Sequence, residues 1–406
     1  MSVIRLHVLA LVLIFFAASG HAQQAPGESI DWEPLVLLNM NLLNKPQLFP
    51  SYLLATAMWS GNDSPVTATS GDQQLNILGD RNGAIAVGIT NPADNAHIRL
   101  VVQMGWLSAV SVFDAVLGKK GEKYLIFPKI NYRYDLLPRI SQPVLVNAVF
   151  TLYVNGAVAG QKTKTTLVRS VNDCPFAIKA PDGHVIDLGW MFAAYINENH
   201  PWIDALLREA LNTGTIPQFI GYQGSPQDVY QQVFAIWDTL QRRGFTYSNI
   251  TTPSAYSNQV VSQHVRFLSE AVASSQANCV DGTLLFASIL RKIGIDPFLV
   301  LIPSHMFLGF YLDKDHKAAA YLETTMMGGT NLGGYAEDNS LGGAFSSLFG
   351  VDTRNQASWK SFLYALNAGA AQAQENQGNF TPANLASYKI MDVTEYREIG
   401  VMPINR

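Results

Sequence analysis

The hydrophobic period of this chain changes once, and that change divides it. From about Asp63 to Cys174 apolar residues recur at every second position, whereas beyond Cys174-Pro175 they recur at helical spacing. A period of two sends successive side chains to opposite faces of a strand; spacings of three and four gather them on one side of a helix. The first stretch therefore predicts a sheet-built unit and the second a mixed one. In "VLVNAVFTLYVNG", Val144, Val146, Ala148, Phe150, Leu152 and Val154 share one face, and Asn155-Gly156 is the dipeptide that best tolerates the positive φ values of a tight hairpin turn. "KTKTTLVRSV" (Lys162 to Val171) reads as the return strand. "AIAVGIT" (Ala84 to Thr90), the turn Asn91-Pro92 and "IRLVVQM" (Ile98 to Met104) read as an earlier pair.

Past the break, "HPWIDALLREALNTG" (His200 to Gly214) has helical spacing. "SPQDVYQQVFAIWDTLQRRG" has it more fully: Ser225 caps, Pro226 suits the first position, Asp228 complements the dipole, and Val229, Val233, Ile236, Trp237 and Leu240 form the buried stripe up to Gly244. The fold expected is α+β. A leader spans 1–22 and an N-terminal segment 23–60. An Ig-like β-sandwich covers 61–175, a helical connector 176–224 and a second α+β domain 225–406.

Arg5 and His7, the apolar run Leu9 to Phe16 and the small residues ending in Gly20-His21-Ala22 have the form of a secretion signal. The chain is therefore expected to be exported, periplasmic or secreted. No later segment has the roughly 18 uninterrupted apolar residues of a spanning helix. Charged residues make up 14 % and hydrophobic residues 48 %, a globular rather than a disordered composition. The net charge is −4 with no basic stripe, which argues against nucleic acid as a partner. Two cysteines allow at most one internal disulfide, so the core must carry stability. No metal or organic cofactor is implied: His200 has no second histidine at ligand spacing, and neither a phosphate-binding glycine loop nor a Gly-x-Ser-x-Gly elbow occurs. Nothing in the sequence speaks to oligomeric state.

Chemistry concentrates in one run. "TLLFASILRKIG" is a compact apolar helix ended by Gly294, which places Cys279 at or just before its first turn. There the positive end of the dipole favours a thiolate, and the free N–H groups can hold an oxyanion on a substrate carbonyl. Next comes an apolar strand, Phe298 to Ile302. Pro303-Ser304 breaks it, and His305 opens another strand, sharing a face with Phe307, Gly309 and Tyr311. A third strand, "AAAYLETT", carries Glu323. A thiol needs a base for its proton, and an imidazole needs an acceptor on its second nitrogen to fix its tautomer. Asp281 is expected to cap the helix rather than act as an acid, and His264 and His316 to lie at the surface. Two bland alternatives stand beside this: Cys279 as a buried apolar residue, and a Cys174–Cys279 disulfide that would remove the nucleophile.

At "NCVDGTLLFASILRKIGIDPFLVLIPSHMFLGFYL" followed by "AYLETT", the sequence resembles the transglutaminase-like superfamily of thiol enzymes, which have a papain-like fold. The match lies in Cys-x-Asp at a helix start, Leu-Arg-x-x-Gly-Ile at its end, His at a strand start and an acidic residue before Thr. "FAIWDTLQRRGFTYSN" and "QHVRFLSEAV" resemble the segments that precede the family's core, so the likeness covers roughly residues 225 to 330. It implies Cys279 as nucleophile, His305 as general base and Glu323 as the group orienting His305, with Gln263 at a place that in some members lies near the oxyanion. It also implies acyl transfer from a protein or peptide substrate through a thioester, resolved by water (peptidase or amidase) or by an amine (cross-linking). Two departures stand out: Glu323 where most members have Asp, and Met306 where many carry Trp or Phe. The competing reading is a non-catalytic module that binds protein or cell-wall peptide.

Overall fold

The computed structural model describes residues 30–36, 47–58, 65–70, 73–80, 82–179, 185–249, 260–329 and 356–405. The expected leader, and the glycine-rich stretch 328–345 from residue 330 onward, lie outside them. The protein is mixed α+β with several sheets, in two compact units: one holds the chain to Leu188 together with Ser254–Gln263, the other Gly189–Pro253 and His264–Arg406.

The first unit is built mainly from strands. β1 (Trp32–Val36), β3 (Val66–Ser70), β4 (Gln73–Gly79), β5 (Ile85–Thr90) and β8 (Lys123–Phe127) form a sheet ordered β1-β5-β8-β4-β3. β2 (Gln47–Leu48), β6 (His97–Gln103), β7 (Ser111–Val116), β9 (Val144–Val154) and β10 (Ala157–Val168) form another, ordered β2-β10-β9-β6-β7. A short helix, α1 (Pro50–Ala55), follows β2. The period-two reading of β9 holds in detail: Val146, Ala148, Phe150 and Leu152 are buried while Leu145 and Asn147 are exposed. Asn155 and Gly156 turn the hairpin with φ of 49° and 84°, and Val154 pairs with Ala157. The two sheets touch where Gly160 meets the Trp32 ring and Lys162 Nζ donates to the Trp32 carbonyl.

Strand structure continues past Pro175. β11 (Asp173–Lys179) pairs antiparallel with β12 (Val185–Asp187), and with β14 (Val260–His264) they form a three-stranded sheet. Phe176 to Ile178 is a short apolar run, and such a run has no period long enough to separate strand from helix. The 176–224 stretch thus holds two strands, a 3-10 turn over Gly189–Tyr195 and the helix α2 (Pro201–Asn212).

The second unit contains the segments singled out for chemistry. In α3 (Pro226–Arg242) the Asp228 carboxylate accepts from the Ser225 N–H at 2.6 Å and its hydroxyl at 2.7 Å, fixing the helix start. All five stripe residues are buried. Trp237 is the meeting point of three helices: its ring lies 5.8 Å from Phe286 of α5 (Cys279–Lys292) and 6.0 Å from Phe362 of α6 (Gln356–Asn376), and its Nε1 donates to Ser361 at 2.9 Å. β13 (Thr246–Tyr247) pairs parallel with β15 (Gln276–Ala277), and α4 (Leu268–Ser274) lies between β14 and β15 in the chain. β16 (Pro297–Ile302), β17 (His305–Tyr311) and β18 (Ala319–Leu322) run antiparallel, with β19 (Lys389–Asp392) outside β16, giving the order β18-β17-β16-β19. A final helix, α7 (Val393–Glu398), follows the "YKIMD" strand. Gly309 faces the Phe298 ring so closely that any Cβ there would overlap it, which lets an aromatic lie across the middle of β17. Among the described residues, no helix is long and apolar enough to cross a membrane.

Candidate active site

Cys279 is the first residue of α5 and is partly exposed. The cap is Asn278, whose Oδ1 accepts from the Asp281 N–H at 2.8 Å. Asp281 does not cap the helix as the sequence predicts. Its buried carboxylate accepts from the Arg266 N–H at 2.9 Å and from Arg266 Nε at 2.7 Å. Asn and Asp are near-equal cap formers, so local chemistry alone does not rank Asn278 above Asp281. The Arg266 pair fastens the helix start to the chain ahead of it. Gly282 brings that first turn against the segment after Glu323, since a Cβ there would stand 3.0 Å from Thr324 Oγ1. Thr283 completes the link, donating to the Cys279 carbonyl at 2.7 Å with Thr324 Oγ1 at 3.4 Å.

His305 is the first residue of β17. The rung Ile302↔His305 closes the hairpin over Pro303-Ser304, with Ser304 at φ 61°. The chain thus reverses in two residues and delivers the imidazole at the end of the ladder. His305 Nε2 donates to Glu323 Oε2 at 2.6 Å. The Cys279 side chain lies near enough to the ring to act on its protonation. Burial alone would push the imidazolium down, but the nearby Cys279 side chain, then the Glu323 hydrogen bond and the charges of both, carry it up to about 10.

Glu323 lies one residue beyond β18, not within a strand. It caps a 3-10 turn over Thr324–Met326 and is 4 % exposed, and so depends on its partners. It has four. Oε1 accepts from the Thr325 N–H at 3.0 Å and the Thr325 hydroxyl at 2.6 Å; Oε2 accepts from His305 and from Gln372 Nε2 at 2.7 Å. Taking a carboxylate out of water costs several kcal/mol, and donors on both oxygens offset it. Burial raises its pKa, while the His305 bond and charge, then the Thr325 donors, bring it net below the usual carboxylate range.

Cys279, His305 and Glu323 are thus brought together within the second unit. Gln263, read as a weak oxyanion candidate, belongs to β14 and to the first unit. Both cysteines are free thiols; Cys174 is fully buried on β11, and burial, then the charge of Asp173, pushes its thiol well above the usual range. The sequence reading missed two neighbours of the triad. Tyr247 of β13 is 42 % exposed, and its phenol is raised by burial and then by the charges of Cys279 and Glu323. Its signal was the "FTY" ending the helix α3 segment. Gln372 had no local signal. Among the described residues no group of three or more histidine, cysteine or acidic side chains could hold a metal ion. Compared with family models, with curated proteins and with solved structures, the chain matches none of them.

Proposed function

We propose that this protein is an exported thiol enzyme that transfers acyl groups from amide or peptide bonds, with Cys279 as nucleophile, His305 as base and then acid, and Glu323 orienting the ring. One observation carries the reading: a single imidazole bonded at 2.6 Å to a buried carboxylate, beside the partly exposed thiol that opens a helix. The Cys279 proton passes to His305, and the sulfur attacks the amide carbon to form a C–S bond. The carbonyl electrons move to oxygen, where the amides of the α5 start stabilise them. Collapse breaks the C–N bond, the amine leaves with the His305 proton, and a thioester remains. Water then gives a proton to His305 and attacks the thioester. The acid departs, and the sulfur recovers its proton.

The order of helix, then antiparallel strands with the imidazole opening one and the carboxylate just past the end of the next, supports a transglutaminase-like, papain-like second domain. The two touching five-stranded sheets support an Ig-like sandwich ahead of it. The leader form of residues 1–22 supports export. The test is alkylation of the folded full-length protein by iodoacetamide near pH 7, followed by peptide mapping. Cys279 should label rapidly and Cys174 only after unfolding, and labelling should slow sharply in His305→Ala. Slow labelling of both cysteines, indifferent to His305, would point instead to a binding module with no working nucleophile.

A further inference from the structure

The helix that carries Gln372 touches the Glu323 segment three times on one face. Ala365, Gly369 and Gln372 are spaced four and three residues apart and so lie on one side of α6. The Ala365 carbonyl accepts from the Glu323 N–H at 2.9 Å. Gly369 meets the end of β18 so tightly that a Cβ would stand 2.8 Å from both Leu322 N and the Tyr321 carbonyl carbon. Gln372 Nε2 donates to Glu323 Oε2 at 2.7 Å, the same oxygen that takes the His305 proton at 2.6 Å. Backbone and side chain both bond Glu323, the residue read as orienting the base, and the close approach seats the two residues just before it.

We propose that Gln372 is a positioning residue for the Cys279–His305–Glu323 site, acting through Glu323 as a fourth member supplied by the C-terminal helix. The inference rests on the triad reading above. It explains the glutamate: from a turn-capping position beyond the strand, the carboxylate reaches His305, Gln372 and Thr325 together, and a side chain one methylene shorter would give up part of that set. The amide of Gln372 holds Oε2 in line with His305 Nε2 and shares its charge. Without that donor the carboxylate keeps only His305 on Oε2, its negative form is less well held, and its pKa rises. The docking of α6 is thereby coupled to the protonation of the base. Among the described residues, the titratable groups that act on Glu323 are His305 from β17, itself influenced by Cys279 of α5, and Tyr247 from β13. The phenol stays neutral throughout the range in which the carboxylate titrates.

The experiment is the pH dependence of iodoacetamide alkylation of Cys279 in the full-length protein. It compares wild type, Gln372→Met, Gln372→Glu and His305→Ala, with thermal melts to show that each variant folds. Gln372→Met keeps the packing and removes the donor. The acid limb of its profile should move up by about half to one pH unit, and its plateau rate should fall about 3- to 10-fold. Gln372→Glu sets a second carboxyl against Glu323, and two carboxylates at that separation cannot both ionise, so its acid limb should move further, by about a unit or more beyond Met. A merely structural glutamine would lower the melting point without moving either profile. Profiles that superimpose on wild type, while His305→Ala still slows labelling, would overturn the role of Gln372 and leave the triad standing. Labelling that ignores His305 as well would overturn both.

Discussion

Histidine–carboxylate pairs stand at the start of strand β17 and in the turn beyond its end, and only the first has a cysteine beside its ring. At its start His305 meets Glu323 at 2.6 Å, with the carboxylate 4 % exposed and the Cys279 thiol near enough to act on the ring. Near its end His316 meets Asp296 at 3.2 Å and Asp392 at 3.8 Å, and it stacks on Tyr311 with centroids 3.6 Å apart and planes 4° off parallel. This second pair is tied into the scaffold: Asp296 also accepts from Thr394 at 2.9 Å, and Asp392 from the Tyr311 hydroxyl at 3.1 Å. It braces the turn after β17 against β19. An imidazole beside a carboxylate is therefore not in itself a catalytic signature. The difference lies in what stands beside the ring: a thiol at a helix start in one case, another acid and an aromatic face in the other.

The sharpest way to break this comparison is to remove each ring in turn. His305→Ala should slow Cys279 alkylation at pH 7 by about 100-fold or more, in the range that a positioned base contributes, whereas His316→Ala should leave the rate within about twofold. Equal effects would mean the two pairs do the same job.

Next in size is the charge on Glu323. Glu323→Gln keeps the shape and removes the anion, and alkylation near pH 7 should fall about tenfold, an amount between a lost neutral hydrogen bond and a lost base. The same variant exposes a pH dependence of stability. His305 is raised from 6.5 to about 10 in the fold, so the stabilisation from its charge is complete below about 6.5 and is lost as pH climbs through about 10. Glu323 is lowered from 4.5, so its contribution is present above that value and is lost as pH falls below it. The gap in urea midpoint between wild type and Glu323→Gln should therefore be widest between pH 5 and 6.5 and should close towards pH 10. A gap that widens with rising pH would contradict the ion pair.

The smallest effect belongs to the scaffold pair. Tyr311→Phe removes the hydroxyl that reaches Asp392 and should cost about 0.5–1.5 kcal/mol in chemical denaturation, with alkylation of Cys279 unchanged. A matching loss of alkylation would show that the two ends of β17 communicate.

Legibility in the sequence followed the range of the interaction. Elements with a strong local period were read to within a few residues: the β9–β10 hairpin, the α3 stripe, the α5 helix with Cys279 at its start, and the β16–β17 reversal before His305. Local signals of equal weight went astray. Asn278 and Asp281 are both cap formers, and only the arrival of Arg266, itself fixed by tertiary structure, separates them. "AAAYLETT" is uniformly strand-compatible and so predicts a strand through Glu323, yet the strand ends at Leu322 and the carboxylate turns back to cap Thr325. His316 is part-exposed, in keeping with the surface position expected of it, yet its partners come from positions 296, 311 and 392, which no local signal announces. Gln372 sits in an alanine-rich helix, 49 residues beyond the oxygen it bonds, and no window of the sequence contains both.

The two-residue reversal at Pro303-Ser304 has a mechanical consequence. Because His305 occupies the first rung after it, the ring has no slack with which to wander, and its aim is inherited from the whole β16–β17 ladder. Slipping that ladder by one residue would carry the imidazole to the opposite side of the sheet. Insertions at this bend should therefore be far less forgiving than insertions at the Asn155-Gly156 bend, where no reactive group rides on the count.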